Sequence, residues 1–316
     1  MTTRVRELLE SRWVGPIGLT IAVATPFVNA SPYVLFILTS AAIFVVLAAG
    51  LNIVVGYCGL LDLGYVAFMA VGAYTSGIMT TRWDLPLLAT LPAVLAVTVL
   101  AGLVIGAPTL RLRSDYLAIV TLGFGEIIRL TANNLEVTGG PTGIYGIPSV
   151  TFGSVDLSTP AAFYFLCVAV AALAVLGSAR LARSRLGRAW QFIREDEDAA
   201  EAMGVNSYVA KLLAYVLGAI WGSVAGVLFA AHLSAIAPQS FLFLQSALVL
   251  MAVVLGGMGS TRGIVLGAVA LSLLPEALRD FATWRYVLFG VLLIAVMLVR
   301  PRGLWPARHH EAEVPA

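Results

Sequence analysis

Charged residues are scarce in this 316-residue sequence: only 11% of its residues are Asp, Glu, Lys or Arg, and its mean hydropathy is +0.94. Soluble domains carry about a quarter charged residues, so a sizeable water-soluble catalytic domain is excluded. Only two cysteines occur, Cys58 and Cys167, which excludes a disulfide framework and a Cys-x-x-Cys metal site. The sequence also lacks a Gly-x-x-x-x-Gly-Lys-Ser/Thr phosphate loop, so any ATP hydrolysis has to occur on another chain. We therefore expect no catalytic residue, no metal site and no cofactor in this chain.

Long apolar stretches make up most of the chain instead. A run of about 18 or more apolar residues is typical of a helix that crosses a lipid bilayer. Ten such stretches occupy approximately residues 14–31, 34–56, 58–80, 86–107, 115–131, 161–179, 209–231, 241–258, 263–279 and 285–300. We therefore predict an all-α, polytopic membrane protein with about ten transmembrane helices in contact with membrane lipid. Residues 1–316 would form a single transmembrane domain.

The basic residues predict how these spans are oriented. With both termini in the cytoplasm, fifteen of the 19 Lys and Arg residues fall on the inner side and four on the outer side. The connection at about 132–160 contains neither residue type, as expected for an external loop. The first stretch can also be interpreted as a signal peptide, because Val28-Asn29-Ala30 follows an apolar run. Its removal would leave the direction of the other spans unchanged.

Two of the predicted spans are shortened or contain internal glycines. The third carries Asp62 and Gly64 near its start, and the fifth begins after Asp115 and contains Gly123 and Gly125. Irregular backbone at membrane depth is tolerated where it lines a cavity, so interrupted spans often mark a substrate path. We expect the third and fifth spans to lie beside such a path.

Charged residues within the spans are further candidates, because a charge in a bilayer is costly. Glu126 and Arg129 lie three residues apart near the outer end of the fifth span, and Glu276 and Arg279 repeat this spacing in the ninth. Each pair is either an ion pair within one helix or part of an external mouth that steers a zwitterionic substrate. Asp62 lies near the inner end of the third span, where its carboxylate would reach water. That position favours a structural or gating role over ligand contact.

Residues 180–208 form the one substantial polar segment on the predicted inner side. We predict an amphipathic helix at about 188–203, preceded by Gly187 and ended by Gly204 in a left-handed cap. Its apolar positions are Trp190, Ile193 and Met203, and its middle is the acidic run Arg194-Glu195-Asp196-Glu197-Asp198. The helix is either a solvated surface helix with local ion pairs or a docking helix for a cytosolic partner.

The end of this segment resembles a known docking motif. Asp198-Ala199-Ala200 followed by Gly204 is similar to the acidic-Ala-Ala-x-x-x-Gly motif of ABC-importer permeases, which inserts into a groove of the ATPase subunit. Here Asp198 replaces the usual Glu, and the apolar-Leu-Pro ending found in many such permeases is missing.

Three further stretches extend the resemblance to the whole chain. They are Gly50-Leu51-Asn52 with Gly59 to Phe68 and Gly72-Ala73-Tyr74; Asp115 to Arg129 with Thr138 to Ile144; and Gly256 to Ser260 with Leu274-Pro275-Glu276. In this order, over roughly residues 40–300, they look like the LivM-type permease of branched-chain amino acid ABC importers. This resemblance implies an ABC-importer permease fold, with possible inverted five-helix repeats, that works by alternating access. It also implies a bacterial cytoplasmic (inner) membrane location.

The same resemblance implies four partner proteins and two groups of functional residues. The partners are a sister permease in a heterodimer, two cytosolic ABC ATPase subunits that hold ATP and Mg, and an extracytoplasmic solute-binding protein; no nucleic acid is expected. The residues expected to couple to the ATPase are Arg194, Glu195, Asp196, Asp198, Ala199, Ala200 and Gly204. The residues expected on the substrate path or external mouth are Asn52, Asp62, Thr121, Glu126, Arg129, Glu276 and Arg279.

Three alternatives remain at this point. A urea- or amide-specific permease of the same family would share this sequence pattern, since the binding protein would select its substrate. An ion-coupled secondary transporter would need a carboxylate near the bilayer midplane, whereas the candidate carboxylates are predicted near span ends. A purely structural membrane scaffold would need neither interrupted spans nor an acidic docking helix.

Overall fold

Helices form most of the structure in the computed structural model, which describes residues 20, 25, 31–110, 114–152, 155–156, 159–278, 281, 284–300 and 303–305. In chain order they are α1 (Pro32–Leu51), α2 (Val66–Trp83), α3 (Leu91–Thr109), α4 (Ser114–Asn134), α5 (Pro160–Ala182), α6 (Arg185–Glu195), α7 (Glu197–Ala202), α8 (Ser207–Leu233), α9 (Phe243–Gly256), α10 (Thr261–Ala277) and α11 (Arg285–Val299). Each long helix, all but α6 and α7, overlaps one of the predicted spans from the second to the tenth. The first predicted span, 14–31, lies almost entirely outside the described residues.

Among the described residues, five helical segments are long and apolar enough to cross a membrane by length and composition. They are Pro32–Tyr57, Leu87–Thr109, Pro160–Ala182, Ser207–Leu233 and Pro238–Gly256, three of which include an adjoining π or 3-10 turn. With the other long helices, they confirm the predicted all-α, polytopic membrane fold.

Helix α8 packs closely against α1 and α2 because small residues line its contact face. A Cβ atom at Gly226 would lie 2.0 Å from the carbonyl oxygen of Met69 in α2, and one at Gly218 would lie 3.0 Å from the carbonyl oxygen of Gly50 in α1. Gly222 completes this face, one turn from each. Where lipid gives helices no hydrophobic reason to associate, such close backbone approach provides the van der Waals contact that holds them together.

One end of the helix bundle carries the longer connections, and we call it the loop end. Strand β1 (Ile144–Tyr145) pairs there with β4 (Ala235–Ile236), while β2 (Thr151–Phe152) pairs with β3 (Val155–Asp156), both antiparallel. The 3-10 turns in these connections are Glu136–Thr138, Gly140–Thr142 and Pro238–Phe241, and a further 3-10 turn, Leu87–Thr90, precedes α3. Helices α6 and α7 lie at the opposite end, because they follow the last residues of α5 and precede the first residues of α8.

Candidate functional site

The segment between α5 and α8 forms two short helices, so the prediction of one helix at 188–203 is wrong. Ser184 caps α6 by accepting a hydrogen bond from Gly187 N at 3.2 Å, which places Gly187 in the first turn instead of before it. Asp196 then leaves helical geometry at φ −156° and ψ 110°, and its Oδ1 accepts from Ala199 N at 3.0 Å. An aspartate that caps the next helix in this way ends the preceding one. Gly204 has a φ of +86°, as predicted for a left-handed cap.

Two side-chain contacts fix this segment to the start of α8. Trp190 is fully buried and donates from Nε1 to the carbonyl oxygen of Ala210 at 2.7 Å. Lys211, the only lysine, is buried and forms an ion pair with the Glu197 carboxylate. Sequence reasoning missed both tethers, since neither partner lies within a turn of the other along the chain.

The exposed surface of α6 and α7, which we call the α6–α7 surface, combines carboxylates with large apolar side chains. Glu195, Asp196, Asp198 and Glu201 are exposed. Phe192 is 57% exposed and Met203 is 85% exposed, so Met203, unlike the other predicted apolar positions Trp190 and Ile193, does not face the protein interior. Ile193 and Ala200 are buried, whereas Ala199 is exposed. Exposed aromatic and Met side chains beside charges are typical of a surface that binds another protein.

Arg194 connects the α6–α7 surface to the inner end of α1. Helix α1 continues beyond Leu51 as a π-helical turn, Asn52–Tyr57, and the Arg194 guanidinium donates to the carbonyl oxygen of Gly56 in that turn. A Cβ atom at Gly59 would lie 2.7 Å from Arg194 Cγ, so only glycine admits the arginine stem here, and its φ of +75° also favours glycine. The end of α6 thus rests on the point where the chain enters the interrupted third span.

The third predicted span is helical only from Val66, because residues 58–65 form no helix. The predicted range of 58–80 is therefore corrected to 66–83. The interrupted segment packs against α4, where a Cβ atom at Gly64 would lie 1.7 Å from the Thr121 carbonyl oxygen. This close approach holds the irregular backbone against a neighbouring helix, as membrane depth requires.

Asp62 and Thr121 hydrogen-bond to the backbone of this interrupted segment. Asp62 is fully buried, and its Oδ1 accepts from Gly64 N at 2.9 Å, while Oδ2 has no hydrogen-bond partner among the described residues. Thr121 accepts from Leu63 N at 3.1 Å and donates to Ala118 O at 3.1 Å. The prediction that Asp62 reaches water is wrong, because the segment packs against α4 and its Asp62 side chain is fully buried.

Helix α4 runs without a break, so the predicted interruption of the fifth span at its glycines is wrong. Gly125 lies against the interrupted segment, where a Cβ atom would be 3.4 Å from Gly64 Cα, and Gly123 has no neighbour within 4 Å of such an atom. The glycine at 125 therefore serves close packing between two chain segments and does not break the helix.

Asn52 lies at the start of the π-helical turn and fixes α1 to the loop before α10. It is fully buried, and its Oδ1 accepts from Gly259 N at 2.9 Å. At the other end of the turn, the Tyr57 hydroxyl bonds to Thr261 Oγ1 at 3.0 Å and accepts from Ser178 Oγ at 3.2 Å. π-helical turns are often found at functional sites, and this one contacts α5, α6 and α10.

The charged pairs near the loop end have different partners. Glu126 and Arg129 form the ion pair within α4, with Arg129 Nε 2.9 Å from Glu126 Oε2. Their side chains are 45% and 19% exposed, respectively. Glu276 accepts a hydrogen bond from the Tyr33 hydroxyl of α1. Arg279 lies outside the described residues.

The chain is similar to permeases of branched-chain amino acid transport systems. The family described as branched-chain amino acid transport system / permease component matches residues 33–297. The LivM high-affinity branched-chain amino acid transport system permease protein of Salmonella typhimurium is 41% identical over 91% of this chain and 73% of its own length. LivM of Escherichia coli is 40% identical over the same shares. The LivH permease protein of Salmonella typhimurium is 25% identical over 84% of this chain and 92% of its own length. No solved structure gives a significant match.

Proposed function

Because the chain belongs to the branched-chain amino acid transport permease family, we propose that it is one of two paired permeases in an ATP-driven importer. The importer carries branched-chain or other hydrophobic amino acids into the cytoplasm by alternating access. The family match over residues 33–297 carries this proposal. The chain itself is a transport subunit and not an enzyme.

The partners follow from what the relatives are and from what the chain lacks. Both LivM and LivH permeases are similar to this chain, which supports a heterodimer of this chain with a LivH-like sister permease. The sequence contains no phosphate loop, so two separate cytosolic ATPase subunits hold ATP and Mg. An extracytoplasmic binding protein delivers the substrate at the loop end. Both termini and the α6–α7 surface face the cytoplasm of a bacterial inner membrane.

The α6–α7 surface is where we place contact with an ATPase subunit. Its exposed carboxylates provide charge complementarity, and Phe192 and Met203 provide apolar contact area. Movement of this surface is passed on by three contacts: Arg194 to the π-helical turn, Trp190 to α8 and Glu197 to Lys211. Closure of the ATPases would therefore shift the inner ends of α1 and α8 together, which changes the side from which the substrate path is open.

Reversing charges on the α6–α7 surface tests this placement. We expect Glu195→Lys combined with Asp198→Lys to abolish ATP-dependent uptake while the chain still inserts into the membrane. The two lysines would present positive charge to an ATPase groove that is complementary to the native carboxylates. Glu195→Asp combined with Asp198→Glu is the control, since it keeps both exposed negative charges on the same surface and should retain uptake. Uptake of radiolabelled leucine into proteoliposomes that enclose ATP and carry the binding protein outside is the measurement. Normal uptake by the double variant would refute docking at this surface.

Two alternatives to this function are an ion-coupled transporter and a urea- or amide-specific permease. The sequence argued against an ion-coupled transporter because its candidate carboxylates were predicted near span ends. Asp62 is fully buried in an interrupted span, so that argument no longer holds, and family membership alone excludes this alternative. The branched-chain names of the relatives favour amino acids over urea. Competition of excess valine, isoleucine or urea against leucine uptake separates these substrates, and inhibition by urea alone would favour the amide-specific permease.

A further inference from the structure

A pocket opens between four helices on the side of α8 that faces α1 and α9. It is lined by Ser40, Ile43, Phe44, Leu47, Val66, Met69, Phe229, His232, Gln245 and Val249. Val66 is the first residue of α2, so the pocket lies at the level where the interrupted third span becomes helical. Irregular spans of this kind are where membrane transporters place their substrate sites.

The polar and apolar lining residues are separated along the helices. On α1, Ser40 is nearest the loop end, and Phe44 and Leu47 lie one and two turns deeper. On α8, which runs toward the loop end, His232 is followed inward by Phe229. On α9, Gln245 lies in the first turn and Val249 one turn deeper. Three helices thus place a neutral polar side chain at the rim nearest the loop end and an apolar side chain below it.

The polar rim is held in a fixed arrangement. Ser40 Oγ lies 3.0 Å from His232 Nε2 and also donates to Phe36 O at 3.1 Å. The His232 ring stacks on Phe36 with centroids 4.2 Å apart, and Phe163 lies 6.0 Å away on a nearly parallel plane. The backbone N–H of Val66, at the start of α2, donates to Ser246 Oγ at 3.1 Å. The polar groups of the pocket are therefore those of side chains and not the N-terminus of α2.

We propose that this pocket is a transit site for an amino acid with an aliphatic side chain, an inference that rests on the function proposed above. The side chain lies against Phe44, Leu47 and Val249, and the ammonium and carboxylate groups lie at the rim formed by Ser40, His232 and Gln245. Small-molecule sites combine apolar walls with a few polar groups in this way. None of the described lining residues is charged, so the pocket holds the zwitterion without an ion pair and releases it readily.

Cysteine labelling at the rim tests the proposal. The native cysteines, Cys58 and Cys167, are 2% and 0% exposed, so they add little background reaction. In the reconstituted importer, a small methanethiosulfonate reagent should label Ser40→Cys, and leucine should slow that reaction. At ten times its dissociation constant, a ligand reduces the free site about tenfold, and the labelling rate should fall by a similar factor. The attached group should then block uptake.

Thr142→Cys is the matched control, because Thr142 is exposed in the loop-end connection and away from the pocket. It should be labelled at the same rate with or without leucine. If importers with the native sequence show no ATP-dependent uptake, the proposed function itself fails. If those importers work but Ser40→Cys is unreactive, or reacts without leucine protection and with uptake intact, only the pocket proposal is overturned.

A second pair of variants tests the apolar floor without a cysteine. Val249→Phe fills space at the deep end of the pocket, whereas Val97→Phe adds the same volume on α3, where Val97 is 42% exposed. With saturating loaded binding protein, Val249→Phe should lower leucine uptake about tenfold, the factor that corresponds to 1.4 kcal/mol. Its membrane level and ATPase stimulation should match Val97→Phe. Equal uptake by the two variants would contradict the assignment.

Discussion

Asp62 shows, at the scale of single residues, how a polar side chain stabilises a break in a membrane span. The sequence identified Asp62 as a candidate because a charge in a bilayer is costly, and it identified Thr121 through the family resemblance. It could not show that Thr121 would bond to the backbone of Leu63, since that depends on the position of α4, whereas the bond from Gly64 N to Asp62 is local. Their contacts replace helical hydrogen bonds that the interrupted segment lacks.

Truncation and isosteric replacement of Asp62 should therefore differ. Asp62→Ala leaves the buried Gly64 N–H without its acceptor, which costs about 1–3 kcal/mol. Asp62→Asn keeps an acceptor oxygen at the same place and removes a buried charge, so we expect stability at or above that of the parent. Thermal unfolding of the detergent-solubilised protein measures both. Equal destabilisation by the two changes would show that the charge itself, and not the Gly64 contact, is stabilising.

At the scale of secondary-structure elements, glycine content alone did not predict where spans would break. The third span breaks and α4 does not, although both contain glycines in apolar surroundings. The difference lies in tertiary packing. A Cβ atom at Gly64 would collide with the α4 backbone, whereas a Cβ atom at Gly123 would have no neighbour within 4 Å. The acidic segment between α5 and α8 was likewise predicted as helical, but the break at Asp196 depends on capping of α7.

Alanine substitutions at these two glycines should have opposite effects. Gly64→Ala forces a Cβ atom into the Thr121 carbonyl, 1.7 Å away, so destabilisation should reach at least the upper end of the about 1–3 kcal/mol typical of overpacking. Gly123→Ala should stabilise α4 by up to about 1 kcal/mol, because alanine has the higher helix propensity. Melting temperatures of the two purified variants provide the test. A stable Gly64→Ala protein would contradict the close approach of residues 58–65 to α4.

The contact between α6 and the π-helical turn predicts a separation of ATP hydrolysis from transport. Arg194→Gln weakens the bond to Gly56 O, and a bond from a charged donor contributes about 1.5–3 kcal/mol, so uptake should fall roughly tenfold or more. The assembled complex should still hydrolyse ATP, because the exposed α6–α7 surface is unchanged. Arg183→Gln is the control, as Arg183 is exposed but precedes α6 and lies off the α6–α7 surface. Leucine imported per ATP hydrolysed is measured for both, and an unchanged ratio for Arg194→Gln would argue against transmission through this contact.

At the scale of the whole molecule, composition and hydropathy predicted the long helices well, since each helix follows from a local run of apolar residues. The resemblance of short motifs was also sufficient to predict the family that the comparisons establish. The contacts that join the α6–α7 surface to the bundle could not be predicted, because Arg194 and Gly56 are 138 residues apart in sequence. Inverted five-helix repeats and the roles of the site residues stay predictions.

The source of energy is the most direct test of this account. The complete complex, with sister permease, ATPases and loaded binding protein, is reconstituted into liposomes whose ion gradients are collapsed by ionophores. We predict that leucine accumulates against its gradient when ATP is supplied, and that liposomes holding this chain alone accumulate none under any ion gradient. Uphill leucine transport by the purified chain without an ATPase subunit would contradict the account.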